Sequence, residues 1–252
     1  MSLTAHKTEL KEILPLRNFF LQENNFQIRY NACHERNWSD SYILKLDELI
    51  IGYGSVKGLE KLTDRDAIFE FYILPPFRKM SRPAFTALIE ASRPKYIECQ
   101  TNDFVLTHLL YEFSRNIYAD VILFQDHIAT GYEMPGLIFR RRKPDDEVAG
   151  IKTEDLGDYV IEMDGKQIAS GGFLLHYNFP FADLYMEVTE SHRRKGVGAF
   201  LIQELKKECY LSGRVPAARC SLQNPASRAT MLKAGMEICG YMLTGNVVLT
   251  LI

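Results

Sequence analysis

Three cations and two glycines lie together in one short turn, residues 193–198 (Arg-Arg-Lys-Gly-Val-Gly), shortly after an apolar segment that ends at Val188. If a helix begins here, its first backbone N–H groups and the positive end of its dipole converge on one point. Such a point binds anions, phosphate groups in particular. Gly196 and Gly198 would allow a ligand to approach the backbone, since glycine has no side chain and tolerates positive φ. The alternative is a plain strand-to-helix turn on a solvated surface.

Two common phosphate-binding motifs do not fit this turn. A P-loop ends in Gly-Lys-Ser/Thr, and a dinucleotide-binding turn has three spaced glycines with an acidic residue roughly 20 positions later. The pattern present is Arg193-x-x-Gly196-x-Gly198 after a strand that carries Val188. It resembles motif A of the GNAT (Gcn5-related) N-acetyltransferases, Gln/Arg-x-x-Gly-x-Gly/Ala, in which the amides of the turn hold the pyrophosphate of acetyl-CoA.

The residues after the turn support this resemblance. Apolar residues that recur every four positions predict an amphipathic helix that ends near Gly213; they are Val197, Leu201, Leu205 and Cys209. Residues 217–222 then predict a short strand, and Asn224 with Ser227 predicts the cap of another helix. Residues 224–236 are similar to GNAT motif B, in which Asn, Ser or Ala, Lys and Gly-Phe occur at matching spacing. Asn224 and Ser227 are therefore either helix caps or ligand contacts.

The resemblance implies an acetyl-CoA site made of strand, turn and second helix. A backbone N–H within residues 186–188 would polarise the thioester carbonyl, the turn would hold the pyrophosphate, and the motif B helix would face the pantetheine arm. The residues implied to bind the cofactor are Met186, Val188, Arg193, Arg194, Lys195, Gly196, Val197, Gly198, Ala199, Asn224 and Ser227. No metal is expected.

The catalytic groups depart from the family pattern. Acetyl transfer requires a neutral amine, a polarised carbonyl and a proton for the departing thiolate, and in the family the amine attacks directly in a ternary complex. Many relatives place a glutamate or histidine four or six residues before the strand valine, where this chain has Leu184 and Ala182. The common tyrosine acid, seven residues after the motif B asparagine, is replaced by Met231. The usual acid and base are absent from their usual positions.

Three other residues are candidates for catalysis, each with a structural alternative. Glu187 could act as a base or pair with an arginine, and strand alternation directs it to the face opposite the usual base unless a bulge intervenes. His176 ends the predicted hairpin strand near the expected substrate entrance, although a lone histidine is more often structural. Tyr185, like Tyr177 and Tyr241, could donate a proton or simply pack as an aromatic. A water relay would serve equally.

The chain also repeats itself, which indicates a tandem duplication. Three blocks match in the same order at nearly constant offset: residues 42–54 with 159–171, 73–81 with 188–196, and 98–102 with 220–224. Where the second copy has Gly196 and Gly198, the first has Ser81 and Pro83. Proline lacks an amide donor and both residues hinder close approach to the backbone. The first copy is therefore interpreted as a degenerate GNAT repeat.

These patterns predict an α/β protein of the mixed α+β kind: two GNAT-like repeats, each a mostly antiparallel mixed sheet flanked by helices. Helix breakers between residues 126 and 150 place a boundary near residue 130. Residues 1–130 form the degenerate repeat, structural or on the substrate side, and residues 131–252 form the acetyl-CoA-binding domain. Residues 8–23 predict a leading helix kinked at Pro15, and residues 134–142 contain a possible strand.

Composition excludes several other classes of protein. Of the 252 residues, 46% are hydrophobic, which is enough to form a hydrophobic core. The formal net charge is −2, so the protein as a whole does not attract nucleic acid. The basic run at residues 140–143 is followed at once by acidic residues 145–147. Five cysteines without paired spacing indicate neither disulfides nor a zinc site. Without a signal peptide or a membrane-length apolar segment, we expect a soluble, cytoplasmic monomer or homodimer with no nucleic-acid or membrane partner.

Two functions follow from the sequence. The first is an N-acyltransferase that moves an acetyl group from acetyl-CoA to a small amine or to an amino group of a larger acceptor. The second is a non-catalytic acyl-CoA-binding or sensing module, which the missing acid and base would explain. Nucleic-acid binding through the basic turn is weaker, because no aromatic residues are interleaved with its few cations.

Overall fold

The computed structural model describes residues 2–27 and 31–248. Two compact units form within this part of the chain: residues 2–26, 31–120 and 240–248 make the first, and residue 27 with residues 121–239 makes the second. The division between Asp120 and Val121 lies ten residues before the boundary expected from the helix breakers. The last strand joins the first unit from Gly240 onwards.

The first unit has a single parallel strand pair in an otherwise antiparallel sheet of order β1-β2-β3-β4-β5-β12. Its elements are β1 (Leu3–Thr8), α1 (Leu10–Glu23), α2 (Asn31–Glu35), β2 (Ser39–Leu46), β3 (Leu49–Lys57), β4 (Ala67–Ile73), α3 (Ser81–Ser92), β5 (Tyr96–Gln100) and α4 (Phe104–Phe113), with β12 (Met236–Val247) returning from the far end of the chain. The parallel pair is β4 with β5. Helix α1 corresponds to the predicted leading helix, begins two residues later at Leu10, and contains Pro15.

Aromatic residues fill both faces of the first unit's sheet. On one face Phe85 packs edge-on to Phe71 and Phe113, with ring centroids 5.0 and 5.3 Å apart. On the face covered by α1, Phe20 contacts Tyr53 in the same manner at 6.1 Å. Because buried aromatics contribute both apolar area and favourable edge contacts, these residues anchor α1, α3 and α4 to the sheet.

The second unit has the same arrangement, with strand order β6-β11-β10-β9-β8-β7. Its elements are β6 (Ser114–Asp126, from Val121 onwards), β7 (Leu137–Arg141), β8 (Tyr159–Met163), β9 (Lys166–Leu174), β10 (Phe181–Val188), α5 (Val197–Leu211), β11 (Val215–Ser221), α6 (Pro225–Lys233) and the first residues of β12. Among the described strands of this unit, β10 and β11 form the parallel pair and the other pairs are antiparallel.

Local signals explain the elements that position the site. The β8–β9 turn contains Asp164 and Gly165 with φ of 49° and 75°, conformations that aspartate tolerates and glycine adopts readily. The four apolar residues predicted on one face of α5 are all buried. Gly171 of β9 allows the helix to approach, since a Cβ there would lie 3.0 Å from Leu205 Cδ1.

The fold class predicted from the sequence is confirmed: each unit is a mixed, mostly antiparallel sheet flanked by helices. The possible strand within residues 134–142 is β7. Strands β1, β6 and β12 have no counterpart in the sequence-based description. In residues 2–27 and 31–248, no helix combines the length and the apolar character that crossing a membrane requires.

Candidate active site

Strands β10 and β11 pair only over their first residues. Parallel pairing runs from Phe181 opposite Val215 to Leu184 opposite Ala218. Beyond this point β10 continues along β9 to Val188, whereas β11 continues along β6 to Ser221. We call the resulting opening the strand split, formed by residues 185–188 of β10 and 219–221 of β11. The backbone of β10 that faces the split lacks a strand neighbour there, so its N–H groups are available to a ligand.

Helix α5 begins at Val197 with Gly196 as its N-cap, and no side chain caps it. Gly196 has a φ of 90°, a left-handed conformation for which glycine is suited. The first helical hydrogen bond runs from the Phe200 N–H to the Gly196 carbonyl at 3.1 Å. The amides of residues 197–199 therefore have no acceptor within the helix and point out of its positive end.

The strand split, this turn and the start of α6 surround a cleft of about 850 Å³. Nine of the predicted cofactor-binding residues line it: Met186, Val188, Arg193, Arg194, Gly196, Gly198, Ala199, Asn224 and Ser227. The side chains of Lys195 and Val197 do not line it, because Lys195 projects into solvent and Val197 packs in the core. The cleft is of a size that holds a cofactor-sized ligand.

Four basic residues lie along this cleft: His192, Arg193, Arg194 and Lys233. Lys233, on the last turn of α6, was missed as a site residue. Its Nζ lies 3.7 Å from the point a Cβ on Gly196 would occupy and 5.5 Å from the Tyr132 ring centroid. It therefore adds a cation at the start of α5. The lysine of the motif B pattern was the available signal.

Glycine is required at positions 196 and 198 for different structural reasons. A Cβ on Gly196 would meet nothing closer than Lys233, so its positive φ is what requires glycine. A Cβ on Gly198 would lie 3.1 Å from Thr230 Cγ2 and 3.3 Å from Met186 Sδ. Gly198 thus allows α5, α6 and β10 to converge on the cleft. A ligand carrying phosphate groups fits this combination of bare amides, glycines and cations.

Arg193 braces the turn against the end of β10. Its Nε donates a hydrogen bond to the Val188 carbonyl at 3.0 Å, and its Nη2 donates to Glu187 Oε1 at 2.8 Å. Both side chains of this ion pair are about half exposed, so the pair adds little to stability. The structure thus contains the arginine pairing considered for Glu187, while its action as a base stays a prediction.

The other two candidate catalytic residues do not line the cleft. Tyr185 packs over β9, where its hydroxyl oxygen lies 2.9 Å from the Cβ position of Gly172, and burial raises its pKa. His176 lies two residues beyond the end of β9, with its ring centroid 4.6 Å from that of Tyr177. Asn224 caps α6, since its Oδ1 accepts a hydrogen bond from the Ser227 N–H at 3.0 Å. The proposed catalytic and ligand-binding roles of these residues stay predictions.

A buried carboxylate at the closed end of the strand split was missed entirely. Asp183 of β10 is 4% exposed, and its Oδ2 accepts a hydrogen bond from Arg219 Nε at 3.2 Å. The Arg219 guanidinium lies 5.5 Å from the Tyr177 ring centroid. Burial raises the pKa of Asp183 to about 6, although Arg219 and Tyr177 act in the opposite direction. Burial, followed by the charge of Asp183, raises the pKa of Tyr177 well above its usual range.

The first unit lacks the anion-binding features of this turn. Helix α3 starts at Ser81 in the right-handed helical conformation, directly after a 3₁₀-helix (Pro75–Met80). Pro83 has no amide hydrogen to offer a ligand. The Arg82 side chain pairs with Glu112 and lies over the Phe113 ring. These contacts support the interpretation of this copy as degenerate in its anion-binding turn.

Family models and solved structures agree with this geometry. Residues 9–127 match a model described as an acetyltransferase (GNAT) domain, and residues 126–236 match the acetyltransferase (GNAT) family. The chain belongs to the GNAT acetyltransferases and carries two GNAT domains in tandem. The family and the tandem organisation predicted from the sequence are confirmed, and they support an acyltransferase activity.

Several solved structures share the fold over almost the whole chain. An acetyltransferase from the GNAT family of Colwellia psychrerythraea is 14% identical, with a TM-score of 0.76 over 98% of this chain and 100% of that one. A tandem GNAT protein from the clavulanic acid biosynthesis pathway is 11% identical, with a TM-score of 0.60 over 97% and 98%. A Gcn5-related N-acetyltransferase from Sphaerobacter thermophilus is 13% identical, with a TM-score of 0.56 over 97% and 95%. No curated protein matches the chain.

Proposed function

We propose that the second unit binds acetyl-CoA and transfers its acetyl group to an amine of an acceptor by direct attack in a ternary complex. One observation supports this most strongly: the uncapped start of α5 and the unpaired edge of β10 open onto the same cleft. A helix start suits phosphates, and an unpaired strand N–H suits a polarised carbonyl oxygen. An acyl-CoA requires both features, because it carries phosphates at one end and a thioester carbonyl at the other.

Each wall of the cleft has a distinct part in this function. The amides of residues 197–199, with Arg194 and Lys233, would hold the phosphates. The edge of β10 at residues 186–188 would hold the thioester, and the α6 start near Asn224 would face the pantetheine arm. Acetyl-CoA supplies an activated acyl group. The chain itself binds, orients and polarises that group and leaves space for an amine at the strand split.

One observation favours a second function, the binding of acyl-CoA without catalysis. The positions where relatives place their base and acid hold Ala182, Leu184 and Met231, each at most 3% exposed and packed in the core. Apolar side chains at these positions cannot move protons. A sensor would keep the cleft and lose these groups.

Binding is tested by calorimetric titration with acetyl-CoA. We expect saturable binding by the wild type and a loss of roughly 10- to 100-fold in affinity for Lys233→Glu, the range for a charge-assisted hydrogen bond. Lys207→Glu is the matched control, because it makes the same change of charge on the exposed side of α5, where Lys207 Nζ lies 2.6 Å from Glu204 Oε1. Gly198→Glu, which places a carboxylate at the helix start, should abolish binding. A wild type that produces no heat would refute both functions.

Turnover is tested by the release of free thiol from acetyl-CoA in the presence of a panel of primary amines. Amine-dependent release by the wild type supports the transferase. Proven binding with no release for any amine would favour the sensor.

A further inference from the structure

We propose that Asp183 is the general base of the acetyl transfer and takes the proton of the acceptor amine at the strand split; this inference rests on the proposed function. It assigns the proton transfer to a residue outside the positions that the family pattern suggests.

The strand register places Asp183 at the closed end of the split. It pairs with Ala217 of β11 and Leu174 of β9, one position before the last β10–β11 pair at Leu184. The β9–β10 register has no shift from Asp183 to Val188, so side chains alternate regularly. Met186 faces α5, where its Sδ approaches the Gly198 position. Asp183 consequently lies on the opposite face of β10, away from the helix that binds phosphate.

One oxygen of this carboxylate is unsatisfied. Oδ2 accepts a hydrogen bond from Arg219 Nε, and the Tyr177 hydroxyl also lies close to the carboxylate, whereas Oδ1 has no hydrogen-bond partner among the described residues. A buried carboxylate oxygen without a partner is unfavourable and uncommon in native structures. The N–H of a bound amine, or a water that contacts it, would supply the missing hydrogen bond. The position and the unsatisfied atom point to the same ligand group.

The surroundings of Asp183 make it a competent base. Among the residues that the structure describes, the charged or titratable side chains that act on it are Arg219 of β11 and Tyr177 of the β9–β10 connection. Burial outweighs both, and the resulting pKa of about 6 leaves the group ionised but basic at neutral pH. A purely structural ion pair would show the opposite direction, because a dominant arginine lowers the pKa of a carboxyl. Arg219 is also 40% exposed, so it screens the carboxylate only in part.

The proton transfer balances without any further reactant. The acceptor nitrogen forms the new C–N bond while the thioester C–S bond breaks, and the nitrogen's proton passes to Oδ1 of Asp183. The thiolate takes a proton from solvent, and Asp183 later returns its own to solvent. Asp183 precedes Met186 by three residues, about 10 Å along an extended strand. Asp183 does not itself line the cleft. Since one hydrogen bond spans about 2.8 Å, a chain of two or three waters from the acceptor nitrogen covers that distance.

The test compares wild type, Asp183→Asn and the control Asp145→Asn, which removes an exposed carboxylate. The probe acceptor is hydroxylamine, which is small and largely neutral near pH 7. We expect Asp183→Asn to keep its acetyl-CoA affinity and to lose roughly 10²- to 10⁴-fold in kcat. Calculated for the neutral fraction of hydroxylamine at each pH, the wild-type rate should rise with pH through about 6, and Asp183→Asn should lack this rise. Carbon-detected NMR of the wild-type carboxyls should show one group titrating near 6 that is missing from Asp183→Asn.

The outcomes separate the two proposals. If the wild type turns over and Asp183→Asn matches Asp145→Asn in rate, Asp183 is not the base, although the proposed function stands. An NMR titration that places Asp183 at the ordinary value of an aspartate leads to the same conclusion without relying on a variant. A wild type that fails to bind acetyl-CoA, or binds it and releases thiol with no amine of the panel, hydroxylamine included, overturns both proposals.

Discussion

Replacing Asp183 by asparagine should stabilise the second unit at neutral pH and leave it unchanged in acid. The carboxyl is 4% exposed, and burial raises its pKa from the ordinary 3.8 to about 6. The folded state therefore binds a proton more tightly than the unfolded chain. The stability that proton binding to Asp183 contributes is fully present below pH 3.8 and is lost as the pH rises through about 6.

The magnitude follows from the same two values. Each tenfold difference in proton affinity corresponds to about 1.4 kcal/mol, so ionised Asp183 lowers the free energy of unfolding by roughly 3 kcal/mol near pH 7.5. An amide has nearly the shape of a protonated carboxyl and carries no charge. Asp183→Asn should gain up to about 3 kcal/mol over the wild type near pH 7.5, about 0.5 kcal/mol near pH 4 and about 0 below pH 3. Arg219 loses its partner at little cost, since it is 40% exposed.

The assay is guanidinium unfolding of both proteins across this pH range, followed by far-UV circular dichroism. Fluorescence is unsuitable, because Trp38 is the single tryptophan and belongs to the first unit. Subtracting the wild-type free energy of unfolding from that of the variant at each pH removes the contribution of the other carboxyl groups. A difference that stays constant with pH would show that Asp183 does not titrate in this window. A less stable variant near pH 7.5 would show that the attraction to Arg219 exceeds the effect of burial.

Three further outcomes can be measured. Gly196→Ala and Gly213→Ala both place alanine at a positive φ, so each should lower the free energy of unfolding by ~1–2 kcal/mol. Calorimetry should show weaker acetyl-CoA binding for Gly196→Ala alone; equal affinities of the two variants would refute a role for the turn. Glu70→Gln should destabilise the first unit by roughly 3–5 kcal/mol in Trp38 fluorescence unfolding, because it removes the buried carboxylate that pairs with the buried Arg17 guanidinium; a change below about 1 kcal/mol would contradict this. Asn224→Ala should lower stability by about 1 kcal/mol through loss of the α6 cap, and unchanged thermal unfolding would refute that assignment.

The glycine turn at the start of α5 was predictable because its determinants are local. The glycines, the cations and the preceding strand all lie within one short segment, and the start of α5 depends on the conformation of Gly196 itself. Lys233 and Asp183 could not be identified with the same certainty. The first reaches Gly196 only because α6 packs beside α5, and the second is buried only because β10 and β11 pair up to Leu184. Such facts arise from pairings between distant segments.

The same distinction applies to the fold. The β8–β9 hairpin was readable from the turn at Asp164, and α5 from its four-residue apolar repeat. Strand β6 could not be predicted, because it begins at Ser114 directly after α4 and no glycine or proline marks the change from helix to strand. The membership of β12 was hidden for a different reason. Residues 242–246 pair with β5, more than a hundred residues away in sequence, and this pairing places β12 from Gly240 onwards in the first unit.

The two repeats place buried carboxylates in opposite electrostatic situations, and this contrast supports a functional reading of Asp183. In the first unit Glu70 of β4 is fully buried, yet it accepts hydrogen bonds from Arg17 and Tyr53 and contacts His34 Nε2 at 3.2 Å. These partners more than offset burial and hold the pKa of Glu70 well below its usual range. Within the described part of the chain, Asp183 has Arg219 as its charged partner and Tyr177 beside it, and its Oδ1 has no hydrogen-bond partner, so the effect of burial on its pKa prevails. A carboxylate that only stabilises a fold is surrounded as Glu70 is; one that must exchange a proton needs the incomplete surroundings of Asp183.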